Sequence, residues 1–159
     1  MTLRLMTGAG LAAAFLLFQQ PGVTQEAGTM QATGTFEVKV VPLPADDSVD
    51  TGGFGRLSLD KTFSGGLTGS SKGQMVGAFT AVEGSAGYVA LERVTGTLNG
   101  RKGSFILQHS GTMSHGNQSI IVTVIPDSGT EELTGLAGTM QIIIEGKKHS
   151  YVFDYTIGG

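Results

Sequence analysis

The stretch LERVTGTLNGRKGSFILQHSG, from Leu91 to Gly111, decides the fold. Two runs rich in β-branched and other apolar residues flank Asn99-Gly100. That pair best supplies the positive φ needed at both central positions of a type I′ turn, so the stretch reads as one β-hairpin. Both strands are apolar on both faces, which is unusual for a hairpin with one wet side. Glu92, Arg93, Gln108 and His109 sit among these apolar residues, and polar groups in such a setting must be paired or used. A two-residue turn pairs Leu98 with Arg101 and Glu92 with Leu107. A four-residue turn pairs Glu92 directly with His109. Both keep the same parity, because faces alternate along a strand. Tyr88, Ala90, Glu92 and Val94 therefore share a face with Phe105, Leu107 and His109. Val89, Leu91, Arg93 and Thr95 share the other with Ile106, Gln108 and Ser110.

Composition extends this reading to the whole chain. The 159 residues include 26 glycines, with no cysteine and no tryptophan. The glycines follow no short period and mostly separate β-like runs, as in an all-β fold with many turns and bulges. Charged residues make up 14% of the chain, against roughly 25% in an average domain. The net charge of −3 comes with no basic run, so nucleic acid has no electrostatic footprint. Lack of cysteine excludes disulfides, thiolate zinc sites and a thiol nucleophile. His109, His115 and His149 lack metal-ligand spacing, and neither metal nor cofactor is expected. Gly65-Gly66 and Gly69 are followed by no helix start, so they make no phosphate loop. Ser110 is adjacent to His109 and points to the opposite face, which argues against a serine nucleophile.

Residues 1–28 are different in kind. Arg4 precedes an apolar run from Leu5 to Phe18, and Gln19, Gln20, Pro21 and Gly22 follow. This is the layout of a secretory signal peptide, with a weak cleavage signal, and it predicts a secreted or periplasmic protein. The run is shorter than the ~20 residues a span needs, so no stable membrane span is expected once the signal is cleaved. The alternatives are an uncleaved N-terminal anchor and translation from Met30, which would leave the protein cytoplasmic. Residues 29–159 are then the folded domain.

Along that domain the patterning predicts strands at Thr33–Val41, Arg56–Ser64, Gln74–Val82, Tyr88–Leu98, Gly103–Met113, Ser119–Ile125, Thr139–Glu145 and His149–Ile157. Asp46, Asp47 and Asp50 mark an exposed loop. Gly116-Asn117 marks a second tight turn, and Thr130 to Leu136 one short helical turn. About eight short-connected strands predict a closed antiparallel barrel rather than a sandwich.

Particular segments carry a resemblance. Thr33-Gly34-Thr35-Phe36-Glu37-Val38-Lys39, Lys61-Thr62-Phe63-Ser64-Gly65, the hairpin strands Leu91 to Leu98 and Gly103 to Gly111, and Gly129 to Gly138 together resemble bacterial domain-of-unknown-function family 3224. The resemblance runs from Thr33 to about Tyr155. It implies an eight-stranded barrel like that of allene oxide cyclase, related in shape to dirigent proteins and lipocalins. The Gly- and Thr-rich segment before Leu136 is similar to one shared by those barrels. Family members commonly carry a tryptophan shortly after the first strand motif, where this chain has Val40, Val41 and Pro42. The family has no agreed reaction, so no catalytic residue is implied.

Three functions fit these residues. The first is binding of a small apolar or amphipathic ligand in the barrel lumen, with Tyr88, Glu92, Phe105, Leu107 and His109 lining it. The second is an isomerase or cyclase using Glu92 as general acid or base beside His109. The third is a homo-oligomer with a filled barrel, whose work lies on its surface. Glu92 and His109 can equally be a satisfied buried pair that fixes register. Arg93 and Gln108 form the alternative face, suited to a carboxylate or a subunit interface. Tyr151, Phe153 and Tyr155 share one face of the last strand, and Asp154 on an inner face would be a further acid. A lumen filled by Phe36, Phe105, Tyr151 and Phe153 would remove the pocket.

Overall fold

The computed structural model describes residues 28–44 and 54–158. Residues 1–27 of the expected signal peptide, and Asp46, Asp47 and Asp50 of the expected acidic loop, lie outside the described residues. Eight strands run β1 (Met30–Pro42), β2 (Gly55–Gly65), β3 (Leu67–Phe79), β4 (Ala86–Leu98), β5 (Arg101–Ser114), β6 (Asn117–Val124), β7 (Leu136–Glu145) and β8 (Lys148–Ile157). Each pairs antiparallel with its neighbours in sequence, and β1 pairs with β8 to close the barrel. Among the described residues no helix is long and apolar enough to cross a membrane.

The central hairpin is β4 and β5. Asn99 and Gly100 have φ of 45° and 87°, the positive pair a type I′ turn requires. The turn is two residues long, so Glu92 pairs with Leu107 and His109 pairs with Ala90. Strands β1 and β7 each begin three residues earlier than expected, and β3 and the second tight turn differ as well. Strand β3 begins at Leu67 and ends at Phe79, not at Gln74 and Val82. The Gly- and Ser-rich stretch before Gln74 has poor intrinsic β-propensity, but ladders with β2 and β4 on either side hold it extended. The second tight turn is His115-Gly116, both at positive φ, with Ser114 paired to Asn117.

The two ends of the barrel differ. At the base, the short helix Glu131–Leu133 pushes Leu133 into the lumen, where it is fully buried. Pro126 cannot donate to a ladder, and β6 stops before it. β6 and β7 consequently share a single register pair, Thr123 with Thr139. The loop after β6 takes over the pairing with β5. Ile106 N donates to Ser128 Oγ (3.0 Å), Ser104 N to Thr130 Oγ1 (2.9 Å) and Lys102 N to Glu132 Oε2 (2.8 Å).

Above Leu133 the lumen is solid. Phe105 lies against Phe153 (centroids 5.8 Å), Phe153 against Tyr155 (5.2 Å), and Phe63 against Tyr151 (5.9 Å). Leu67, Val94, Leu98, Leu107 and Met140 fill the spaces between them. Each such side chain contributes about 1.5–3 kcal/mol by leaving water, so this packed base is the main source of stability. The opposite end, the mouth, is formed by the last residues of β1, β3, β5 and β7 and the first of β2, β4, β6 and β8.

Candidate functional site

Charged residues meet inside the wall between base and mouth. Lys61 on β2, Ser71 on β3, Glu92 on β4 and His109 on β5 all face inward and are buried. Lys61 Nζ donates to Glu92 Oε2 at 2.6 Å, and Ser71 Oγ donates to Oε1 at 2.6 Å. His109 Nε2 lies 3.1 Å from Oε2. That approach is within ion-pair range but misaligned for a hydrogen bond. Nε2 is the one buried side-chain polar atom among the described residues without a hydrogen-bond partner. Lys61 Nζ also stands 5.0 Å from the centre of the Phe36 ring, within cation–π range.

Register explains the convergence. Gly73 lies directly opposite Glu92, and Lys61 opposite Ser71, so the lysine reaches over β3 beside a position with no side chain. A Cβ on Gly73 would meet the Leu91 carbonyl oxygen at 2.4 Å and Glu92 Cβ at 3.1 Å. The close approach of β3 to β4 at this point therefore needs glycine.

Burial alone would push the Glu92 carboxyl up. The His109 side chain, the Lys61 ammonium and the Ser71 hydroxyl outweigh it and hold the carboxyl down at about 2. Glu92 is thus an anion at neutral pH and is 0% exposed. Such a group fixes charge and orients its neighbours, and it has no proton to give to a ligand.

The mouth holds the open space. A cavity of about 190 Å³ is lined by Leu57, Met75, Tyr88, Met113 and Ile120, with Gln118 and Thr112 at its edge. The Tyr88 ring folds over Gly111, where a Cβ would meet ring atom Cε1 at 2.1 Å. Its hydroxyl makes no hydrogen bond to another described residue. Burial, then the charge of Glu92, raises the Tyr88 phenol above its usual value, so it stays protonated.

The residues singled out in the sequence separate accordingly. Glu92 and His109 meet in the buried cluster, and Tyr88 lines the mouth cavity. Phe105 and Leu107 are fully buried in the packed base and do not line that cavity. Arg93 and Gln108 face outward, neighbours on the outer wall. Asp154 also faces outward and accepts a hydrogen bond from Gln31 Nε2 at 2.8 Å. Tyr151, Phe153 and Tyr155 are core.

Lys61 and Ser71 were missed. Lys61 carried a signal, since it shares its parity with Leu57, Leu59 and Phe63, a lone lysine on an apolar face. Ser71 carried none, because it lies in a stretch that reads as a loop.

The fold and cluster together define a small closed antiparallel barrel with a plugged base, a cavity among the described residues of the mouth and a charge network in its wall. Residues 32–155 match the family model described as protein of unknown function (DUF3224), and the chain belongs to that family. It is similar to the crystal structure of a DUF3224 protein of unknown function from Shewanella oneidensis MR-1. The two are 48% identical with a TM-score of 0.76, over 83% of this chain and 99% of the other. No curated protein matches the chain. Neither match bears on the expected likeness to allene oxide cyclase.

Proposed function

We propose that the protein binds a small, neutral, largely apolar molecule in the mouth of its barrel, with the Tyr88 hydroxyl as its polar anchor. The observation that carries the reading is the division of the lumen. Phe36, Phe105, Tyr151 and Phe153 pack into the core, so a pocket through the whole barrel is out of reach, and among the described residues the cavity lies at the mouth. Its volume of about 190 Å³ is roughly six water volumes. That is smaller than the ~300–1,000 Å³ of drug-sized pockets, so the ligand is small.

The lining selects the chemistry. Leucine, methionine and isoleucine side chains favour an apolar body. A protonated phenol favours a hydrogen-bond acceptor such as a carbonyl. The Glu92 charge disfavours an anionic ligand. The isomerase or cyclase reading with Glu92 as general acid or base draws no support from a carboxylate that is ionised, paired and shut away from the cavity.

Cyclohexanone, a neutral ketone of fitting size, tests this by saturation-transfer NMR and calorimetry. Saturable binding to the wild type is expected. Tyr88→Phe should weaken it by roughly five- to tenfold, the worth of one hydrogen bond. Ile120→Trp should abolish it by filling the cavity. Binding that survives Ile120→Trp, or no saturable binding to the wild type, defeats the reading.

A further inference from the structure

The outer wall of β3 to β6 carries a pattern that the mouth cavity does not explain. Val76, Val89, Ser110 and Ile121 form one register row across these four strands, all facing outward. Val89 is 58% exposed and Ile121 62%. Two residues toward the base, the next outward row is Gln74, Leu91, Gln108 and Thr123. Two residues toward the mouth, it is Ala78, Gly87, Thr112 and Ser119. One neighbouring row is bulky, with Leu91 55% exposed, and the other is small. A hollow lies on each side of Val76 and Val89. The base-side hollow, about 810 Å³, is walled by Gln74, Leu91 and Gln108. The mouth-side hollow, about 400 Å³, has Ala78 and Gly87 in its lining.

We propose that this wall binds a second copy of the chain across a two-fold axis lying along the Val76–Val89–Ser110–Ile121 row. Such an axis reverses strand direction and keeps each residue's position along the row. Val89 then meets Val89 and Ile121 meets Ile121 of the other copy. Leu91 of each copy enters the hollow at Gly87 of the other, so the bulky row faces the small row twice over. An isologous interface has to be complementary to itself in this way.

Charge agrees with this arrangement. β3 to β6 contain one carboxylate, Glu92, and it faces inward. Lys72 and Arg93 pair in register on the outer wall at the base side. No carboxylate pairs with Arg93 among the described residues. The β3–β4 connection at the mouth end carries Glu83. Reversal of strand direction brings Arg93 of each copy toward Glu83 of the other and keeps the cations of the two copies apart. An exposed apolar stripe of this kind, rimmed by polar residues, is the usual mark of a protein contact.

The test is the mass of the full chain in solution, by analytical ultracentrifugation across the micromolar range. The wild type should sediment as a dimer. Leu91→Ala removes the knob and Gly87→Leu fills the hollow, and each should weaken the dimer by at least about tenfold. Both sites tolerate the change in the single barrel: Leu91 is exposed, and a Cβ on Gly87 would approach the Gly111 carbonyl oxygen to no less than 3.8 Å. Circular dichroism confirms that each variant is folded. The double variant exchanges knob and hollow and should restore most of the affinity. A monomeric wild type overturns the proposal. Should that monomer co-float with anionic phospholipid vesicles, the wall belongs to a lipid surface instead. A dimer that neither single substitution weakens places the interface on another face and also overturns it.

Discussion

Lys61 Nζ meets Glu92 Oε2 at 2.6 Å, reaching from β2 over β3 to β4 inside the barrel. The pair is buried, so its worth depends on what it is compared with. Replacing both charges by apolar groups of similar volume is often neutral, whereas removing one leaves the other buried and alone. Lys61→Met should therefore destabilise the barrel by about 3–5 kcal/mol. Lys61→Met combined with Glu92→Leu should recover most of that loss. Urea unfolding of the two variants and the wild type checks it. An additive double variant would show that the pair does not act as a unit.

The same pair sets the acid limit of stability. The folded Glu92 carboxyl is held at about 2, below its ordinary 4.5. A depressed carboxyl contributes fully above the unfolded value, and the contribution is lost as pH falls through the folded value. Wild-type stability should fall by about 3 kcal/mol between these two values. Glu92→Gln combined with Lys61→Met should lose that slope. Unfolding free energies measured across the acid range would expose an unchanged slope.

Tyr88 should act at the alkaline end. Its phenol is raised by burial and by Glu92, so the folded state holds the proton past the pH at which the unfolded chain releases it. Stability should therefore fall as pH rises above about 10. Tyr88→Phe should reduce that fall while changing neutral-pH stability little, because the hydroxyl makes no hydrogen bond to another described residue. Tyr151, also raised, accounts for the part of the slope that persists.

Gly111 should be intolerant for a reason specific to the mouth. A Cβ there runs into the Tyr88 ring, which has to swing away. Gly111→Ala should cost about 1–3 kcal/mol through overpacking and reshape the cavity. Tyr88→Ala should relieve that cost, so the double variant should be less destabilised than the sum of the single ones. Thermal melts of the four proteins make the cycle.

The plug at the base should matter as much as any core residue. Leu133 is fully buried although it stands in a three-residue helix within a loop. Leu133→Ala should cost about 2–5 kcal/mol, as for large-to-small changes in a packed core. A cost near zero would mean that the loop is only a connection.

The sequence by itself determined the barrel and the faces of its central hairpin. The Asn99-Gly100 turn and the two-residue period of the strands are local, and a one-residue slip would turn every buried side chain outward. That is why Glu92 and His109 were legible as one pair and Arg93 and Gln108 as another. Only the tertiary structure decided which pair looks inward, because the hairpin strands are apolar on both faces and parity alone is symmetric. It also decided who joins Glu92. Lys61 and Ser71 arrive from strands 31 and 21 residues away in sequence. The β2–β3 and β3–β4 registers set that distance, and no local pattern encodes it. The division of the lumen into a solid base and a mouth whose described residues line a cavity has the same origin. It depends on a loop after β6 that delivers Leu133 to one end, and on a glycine at position 111 that lets Tyr88 fold down at the other.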